Sequence, residues 1–322
     1  INMKIIQLHD VVLHNVFTDI DYYQVEGVLP MWLRDAGNSQ ESAISKTYFE
    51  KLVNASSSYL INKLLYYYDC EMLVNALQNR FCIIESLITQ VYDVLTPNLK
   101  YLPDDYDRVM FAINEETERI NAYINTIIVN MASCCDIFPK IAVELYKMPH
   151  VCYVSYPRMQ SANVTFGYVK RLPQILQKEG TCFSTVRPVV INKIETIRDE
   201  IIHNGSLDFN ARMYYGFKGP DFEKWILMPS MTEEGTFTSF KGRKKFYDSS
   251  TRTWNKELPI LVNDFLIIAS ETIRILNENF AKRYYESQSD LQKYSDEIKA
   301  LTEAYMKVAK NDYFRLEAER IS

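Results

Sequence analysis

The residues best suited to chemistry stand together in Pro188–Gly205, PVVINKIETIRDEIIHNG. Arg198, Asp199 and His203 fall in one helical register there, followed at once by Asn204 and Gly205. Nowhere else do an arginine, an acid and one of the four histidines share a helix. An imidazole trades protons near neutral pH, and a guanidinium is a permanent, planar donor for a phosphate. Asp199 and His203 are four residues apart, so the carboxylate can accept a hydrogen bond from the imidazole. That bond fixes the tautomer and favours the protonated ring. A helix C-terminus, with Asn204-Gly205 as a left-handed cap, acts in the same direction.

With Val190 at the centre of the buried face, Ile194, Ile197 and Ile201 complete an apolar stripe at helical spacing. Asn192, Glu195, Thr196, Asp199 and His203 then lie opposite, and Arg198 on the flank. Arg198 and His203 are five residues apart, about 140° around an ideal helix. One copy of the helix therefore does not aim both side chains at one phosphate. A two-fold dimer through this region would bring two arginines and two histidines into one cleft.

The run Arg198-Asp199-Glu200-Ile201-Ile202-His203 resembles the signature of the HEPN superfamily (higher eukaryotes and prokaryotes nucleotide-binding): arginine, a polar residue, three residues, histidine. The resemblance implies an all-helical bundle with the motif in a late helix, often at a dimer interface. It implies a metal-independent endoribonuclease, acting as a toxin or in phage defence, with an antitoxin or defence partner. His203 would be the general acid or base at the ribose 2′-hydroxyl or the leaving oxygen. Arg198 would hold the scissile phosphate and Asp199 would orient the pair. Some members of the superfamily have lost catalysis and only bind, so an inactive nucleotide-binding or protein-interaction module is the alternative. A helical scaffold with no nucleic-acid role is a third reading, and in it Arg198 pairs with an acid while His203 satisfies helix-end carbonyls.

Lys241-Gly242-Arg243-Lys244-Lys245, interleaved with Phe240, Phe246, Tyr247 and Trp254, is the densest basic and aromatic stretch. Such a stretch can follow an RNA backbone and stack bases. With Asn204, its cations Lys241, Arg243, Lys244 and Lys245 are the candidate substrate contacts. The competing reading is a charged hairpin tip that keeps a sheet edge from aggregating.

The rest of the chain has to position these groups. Its 322 residues, 47% hydrophobic and with only nine glycines, favour long helices around a core. Spacing predicts helices over 41–68, 71–95, from Asp104 or Asp105 towards Met131 with Val109 and Ile113 inward, and over 136–148. Two more are expected at 257–283 and, charged, from Ser287 or Ser289 to about 319. Val151–Val154 reads as a short strand and Pro173–Gln177 as a turn of helix. Tyr214–Phe217, Trp225–Met228, Thr236–Phe240 and Lys244–Tyr247 read as a small antiparallel meander. The expected fold is mainly α: a HEPN-like bundle with a β insertion and an extra C-terminal helix. Its parts are an irregular or β N-terminal cap at 1–40, the bundle at 41–211 and 257–286, the insertion at 212–256, and the last helix at 287–322.

Other chemistries find little support. The six cysteines form neither a CxxC nor a Cys/His pair at zinc spacing, so they read as reduced, mostly buried thiols in a cytoplasmic protein. No metal and no cofactor is expected, since glycine-rich phosphate loops are missing as well. A net charge of −5 argues against a uniformly basic nucleic-acid binder but leaves room for a local patch. No contiguous apolar run reaches the length of a membrane span, so no membrane partner is expected.

Overall fold

The computed structural model describes residues 1–15, 37, 46–47, 49–50, 59–96, 105–147, 158–164, 167–178, 188–242, 244–247 and 253–281. Within them the chain is mainly helical with a small amount of antiparallel sheet. Six helices are described: α1 (Asn2–His14), α2 (Tyr59–Leu95), α3 (Glu115–Lys147), α4 (Gly167–Lys178), α5 (Val189–Asn204) and α6 (Trp254–Phe280). A 3-10 turn at Gln160–Asn163 precedes α4. The expected strand at 151–154 and the last charged helix lie outside the described residues.

Two compact units divide the chain. The first takes Ile1–Ile5, Asn75–Lys140 and Asn163–Ile275, and contains α4, α5 and the sheets. Its core includes Leu77, Phe81 and Ile84 of α2, Ile120, Ile124 and Ile127 of α3, and Leu258 and Phe265 of α6. Phe81 and Phe265 meet ring to ring, with centroids 6.1 Å apart. The second unit takes Ile6–Val74, Ile141–Ala162 and Leu276–Ser322. There the buried carboxylate of Glu144 accepts from the Tyr66 hydroxyl and from the main-chain N–H of Ser161, which satisfies both of its oxygens.

Five expectations are corrected. Residues 2–14 form a helix where an irregular or β cap was expected, because Ile5, Leu8, Val11 and Val12 bury one face at helical spacing. The helix expected from Asp104 or Asp105 begins only at Glu115, and Arg108–Ala112 is strand β1. Asn114 caps the helix by accepting from the Thr117 N–H at 3.0 Å. Val109 and Ile113 are exposed rather than inward, since β1 is a sheet edge. The separate helix expected over 136–148 is the second half of α3, which carries Pro139 inside it.

The break expected at Tyr68–Glu71 does not exist either, because α2 runs through it. Pro259 likewise sits inside α6, where its missing N–H leaves the Asn255 carbonyl without a helical donor. The Tyr92 hydroxyl donates to that carbonyl at 2.8 Å. Helix α3 is long and apolar enough to cross a membrane, with mean hydropathy 1.4 over its most apolar window. A search for contiguous apolar runs misses it because neutral polar residues such as Asn121, Asn125 and Asn130 interrupt the run. However, 67% of that window is buried inside the protein, as in a core helix.

Strand order in the main sheet is β1-β2-β3, with β2 at Met213–Lys218 and β3 at Asp221–Ile226, all antiparallel. One face carries a row of rings: Phe111, Tyr214 and Trp225 face one another across the strands, and Tyr106 stacks on Trp225. A smaller ladder joins β4 (Ser239–Phe240) to β5 (Lys244–Lys245), with bridges at Pro229–Tyr247 and Met231–Phe237. The meander expectation thus holds for antiparallel pairing but missed β1, which is recruited from before α3.

Candidate functional site

Helix α5 has the expected length and ends as expected: Gly205 takes the left-handed conformation at φ 86°. Its buried stripe is Ile191, Ile194 and Ile197, while Val190 and Ile201 are only half-buried. The centre of the stripe is therefore turned by about 30° towards Ile191 from the one read off the sequence. Pro188 stands at its N-cap with no side-chain bond. Rotation places Arg198 closer to the buried side than a flank position would suggest.

That rotation decides what Arg198 touches. Its guanidinium donates to Asp199 Oδ1 at 2.7 Å and lies 3.5 Å from Asp136 Oδ2 of α3. The side chains are 22% exposed for Arg198, 36% for Asp136 and 49% for Asp199, so water reaches all three. Burial pushes the Asp136 carboxyl above the ordinary carboxylate value; Arg198 and Lys140 pull it down, and Asp199 pushes it up. Asp136 was not singled out from the sequence. Its contact depends on α3 packing beside α5, and no local spacing signals that.

His203 is exposed at the last turn, with no hydrogen-bond or ion-pair partner among the described residues. The expected Asp199–His203 hydrogen bond does not form; the Asp199 carboxylate is taken by Arg198 instead. The reason is distance along the chain: the adjacent guanidinium reaches Asp199 with a charge-assisted bond, which outcompetes an imidazole one turn away. Asn204 is exposed in the final helical position. Among the described residues, no group of three or more His, Cys, Asp or Glu could hold a metal ion.

The β arm lies along the polar side of α5. The Asn192 side-chain amide donates to the Glu234 carbonyl, and Gly235 sits against Val189 and Lys193 with φ 81°. A Cβ at Gly235 would meet the Lys193 nitrogen and the Val189 carbonyl at 3.0 Å, so only glycine fits. Further along, Lys245 Nζ reaches Glu200 Oε1 at 2.5 Å and the Leu207 carbonyl at 3.0 Å. The Tyr247 hydroxyl donates to Asp208 at 3.1 Å.

These contacts sort the candidate substrate residues. Side chains alternate across a ladder, and Ser239 pairs with Lys245 while Phe240 pairs with Lys244. Lys245 points at the helix and is about four-fifths buried, so here it anchors the arm to α5. Phe240, Lys244 and Phe246 share the opposite face, where Phe240 is 58% and Phe246 49% exposed. Lys241 is exposed at the turn with φ 51°, its ammonium 5.5 Å from the Phe240 ring. Arg243 lies outside the described residues.

No family model, curated protein or solved structure matches this chain.

Proposed function

We propose that the protein is a metal-independent endoribonuclease built on a HEPN-like helical bundle, with a β insertion and an extra C-terminal helix. His203 serves as general acid or base and Arg198 holds the phosphate, with Asp199 orienting the arginine. The observation that carries this reading is one helix end presenting an exposed imidazole and, within two turns, a water-accessible guanidinium. Neither belongs to the apolar stripe of α5, so packing does not account for them.

The arm supplies the second support. Phe240, Phe246, Lys241 and Lys244 form an outward basic and aromatic face on a hairpin anchored to the same helix. Rings with adjacent ammonium groups suit an unpaired RNA strand through stacking and phosphate pairing. In the motif, Arg198 turns to Asp136 on one side while His203 projects from the helix end. A two-fold homodimer through this region answers that divergence, each His203 serving the other copy's Arg198. Such an enzyme would act as a toxin or phage-defence effector in the cytoplasm, restrained by an antitoxin or defence partner.

A second reading is favoured by one contact. Because two carboxylates already hold Arg198, a catalytically inactive HEPN-like module that binds nucleotides or a protein partner fits the same geometry.

RNA incubated in EDTA with wild type, Arg198→Ala and His203→Ala separates them. Cleavage that survives EDTA and is lost in both variants, leaving 2′,3′-cyclic or 3′-phosphate ends, is the expected result. Intact RNA with wild type, or equal cleavage by the variants, sinks the enzyme.

A further inference from the structure

We infer that Asp136 is an exchangeable occupant of the Arg198 anion site, displaced onto Lys140 when a phosphodiester arrives. The inference rests on the reading of Arg198 as the phosphate-holding residue. It concerns how that residue is kept filled, not the chemistry that follows.

Three observations converge. First, the two carboxylates on Arg198 are unequal. Asp199 is its chain neighbour, bonded at 2.7 Å, whereas Asp136 comes from another helix and stands at 3.5 Å. The longer contact is the weaker one, and it occupies NH2, a different guanidinium nitrogen from the NH1 that Asp199 takes. Second, Asp136 is partly buried, which disfavours its ionised form, and that form leans on the two cations beside it. A carboxylate in that position is held without being strongly stabilised. Third, Lys140 follows Asp136 by four residues on α3 and already attracts its charge. At that spacing the ammonium can receive the carboxylate with no movement of the helix.

Charge balance gives the exchange its direction. With both carboxylates in place, Arg198 would have to hold three anions once a substrate phosphate arrived. Transfer of Asp136 to Lys140 frees that donor edge, so the phosphate replaces a carboxylate one for one and Arg198 holds two anions rather than three. Asp199 remains in place, so the arginine is still oriented while its other edge changes partner.

Binding of a labelled oligonucleotide with 2′-O-methyl riboses tests this, since the probe has no free 2′-hydroxyl and binding is read apart from cleavage. Asp136→Asn and Asp136→Ser should each bind it roughly two- to fivefold more tightly than wild type, the range for release of a partly exposed ion pair. The gain should vanish when Arg198→Ala is added. Lys140→Met should weaken the wild type and leave Asp136→Asn unchanged. No gain in either Asp136 variant, no binding by any form, or a gain that persists without Arg198 overturns the exchange. Equal loss from Lys140→Met in both backgrounds removes Lys140 from it. If RNA stays intact with wild type while Asp136→Asn still tightens the probe, the enzyme reading fails and the exchange stands. If RNA is cleaved and Asp136→Asn shows no change, the exchange fails alone.

Discussion

Lys245 of β5 and Glu200 of α5 form an ion pair at 2.5 Å, with both side chains about four-fifths buried. The pair clamps the β arm to the helix that carries Arg198 and His203. Lys245 also donates to the Leu207 carbonyl, so it secures the chain as it leaves that helix.

Lys245→Met keeps the aliphatic stem and removes both polar contacts, leaving Glu200 without its cation. The expected cost is about 1–3 kcal/mol, larger than for an exposed pair because the partner is left largely buried and unmatched. Hydrogen exchange should speed up over residues 229–247 before it changes in α3. Uniform protection along the arm would show that Gly235 and Tyr247 suffice as anchors.

The Tyr92–Asn255 bond predicts an epistatic pair. Tyr92→Phe should cost about 1 kcal/mol, since the carbonyl left open by Pro259 loses its donor. Pro259→Ala restores a main-chain N–H to the helix. In that background Tyr92→Phe should cost much less, and chemical denaturation of the four proteins measures the difference. Equal costs in both backgrounds would mean that the carbonyl finds another donor.

Asp136 predicts a pH dependence of stability. Its folded pKa is raised, chiefly by burial, above an ordinary value of 3.8. The folded state therefore binds the proton more tightly than the unfolded chain, and ionisation of Asp136 takes stability away as pH rises through a window starting near 3.8. Asp136→Asn should be at least as stable as wild type at neutral pH, and its advantage should shrink as pH falls below that window. Paired thermal melts at neutral and acid pH check the sign. An advantage that grows on acidification contradicts it.

Much of α5 was legible before the fold was known. Isoleucines at helical spacing, proline at one end and Asn-Gly at the other mark a helix with a buried side, and the structure keeps all three. Strand β2 was legible for a similar reason, as an aromatic run before a Gly-Pro turn, whereas β3 begins at Asp221, four residues before the expected Trp225. Where periodicity was ambiguous, packing decided. Arg108–Ala112 contains the same apolar residues a helix would use, yet it pairs with β2 and leaves Val109 exposed.

Residue types and spacing alone determined that an arginine, an acid and a histidine would stand at one helix end, because 3.6 residues per turn and a glycine cap are local properties. Their partners were decided only by tertiary structure. Turning the stripe by about 30° brings Arg198 nearer to Asp136 on α3, and the ladder's alternation turns Lys245 inward while leaving Lys244 in water. Both outcomes depend on which elements lie side by side. That is settled by burying apolar surface across segments far apart in the chain, and no local spacing records it.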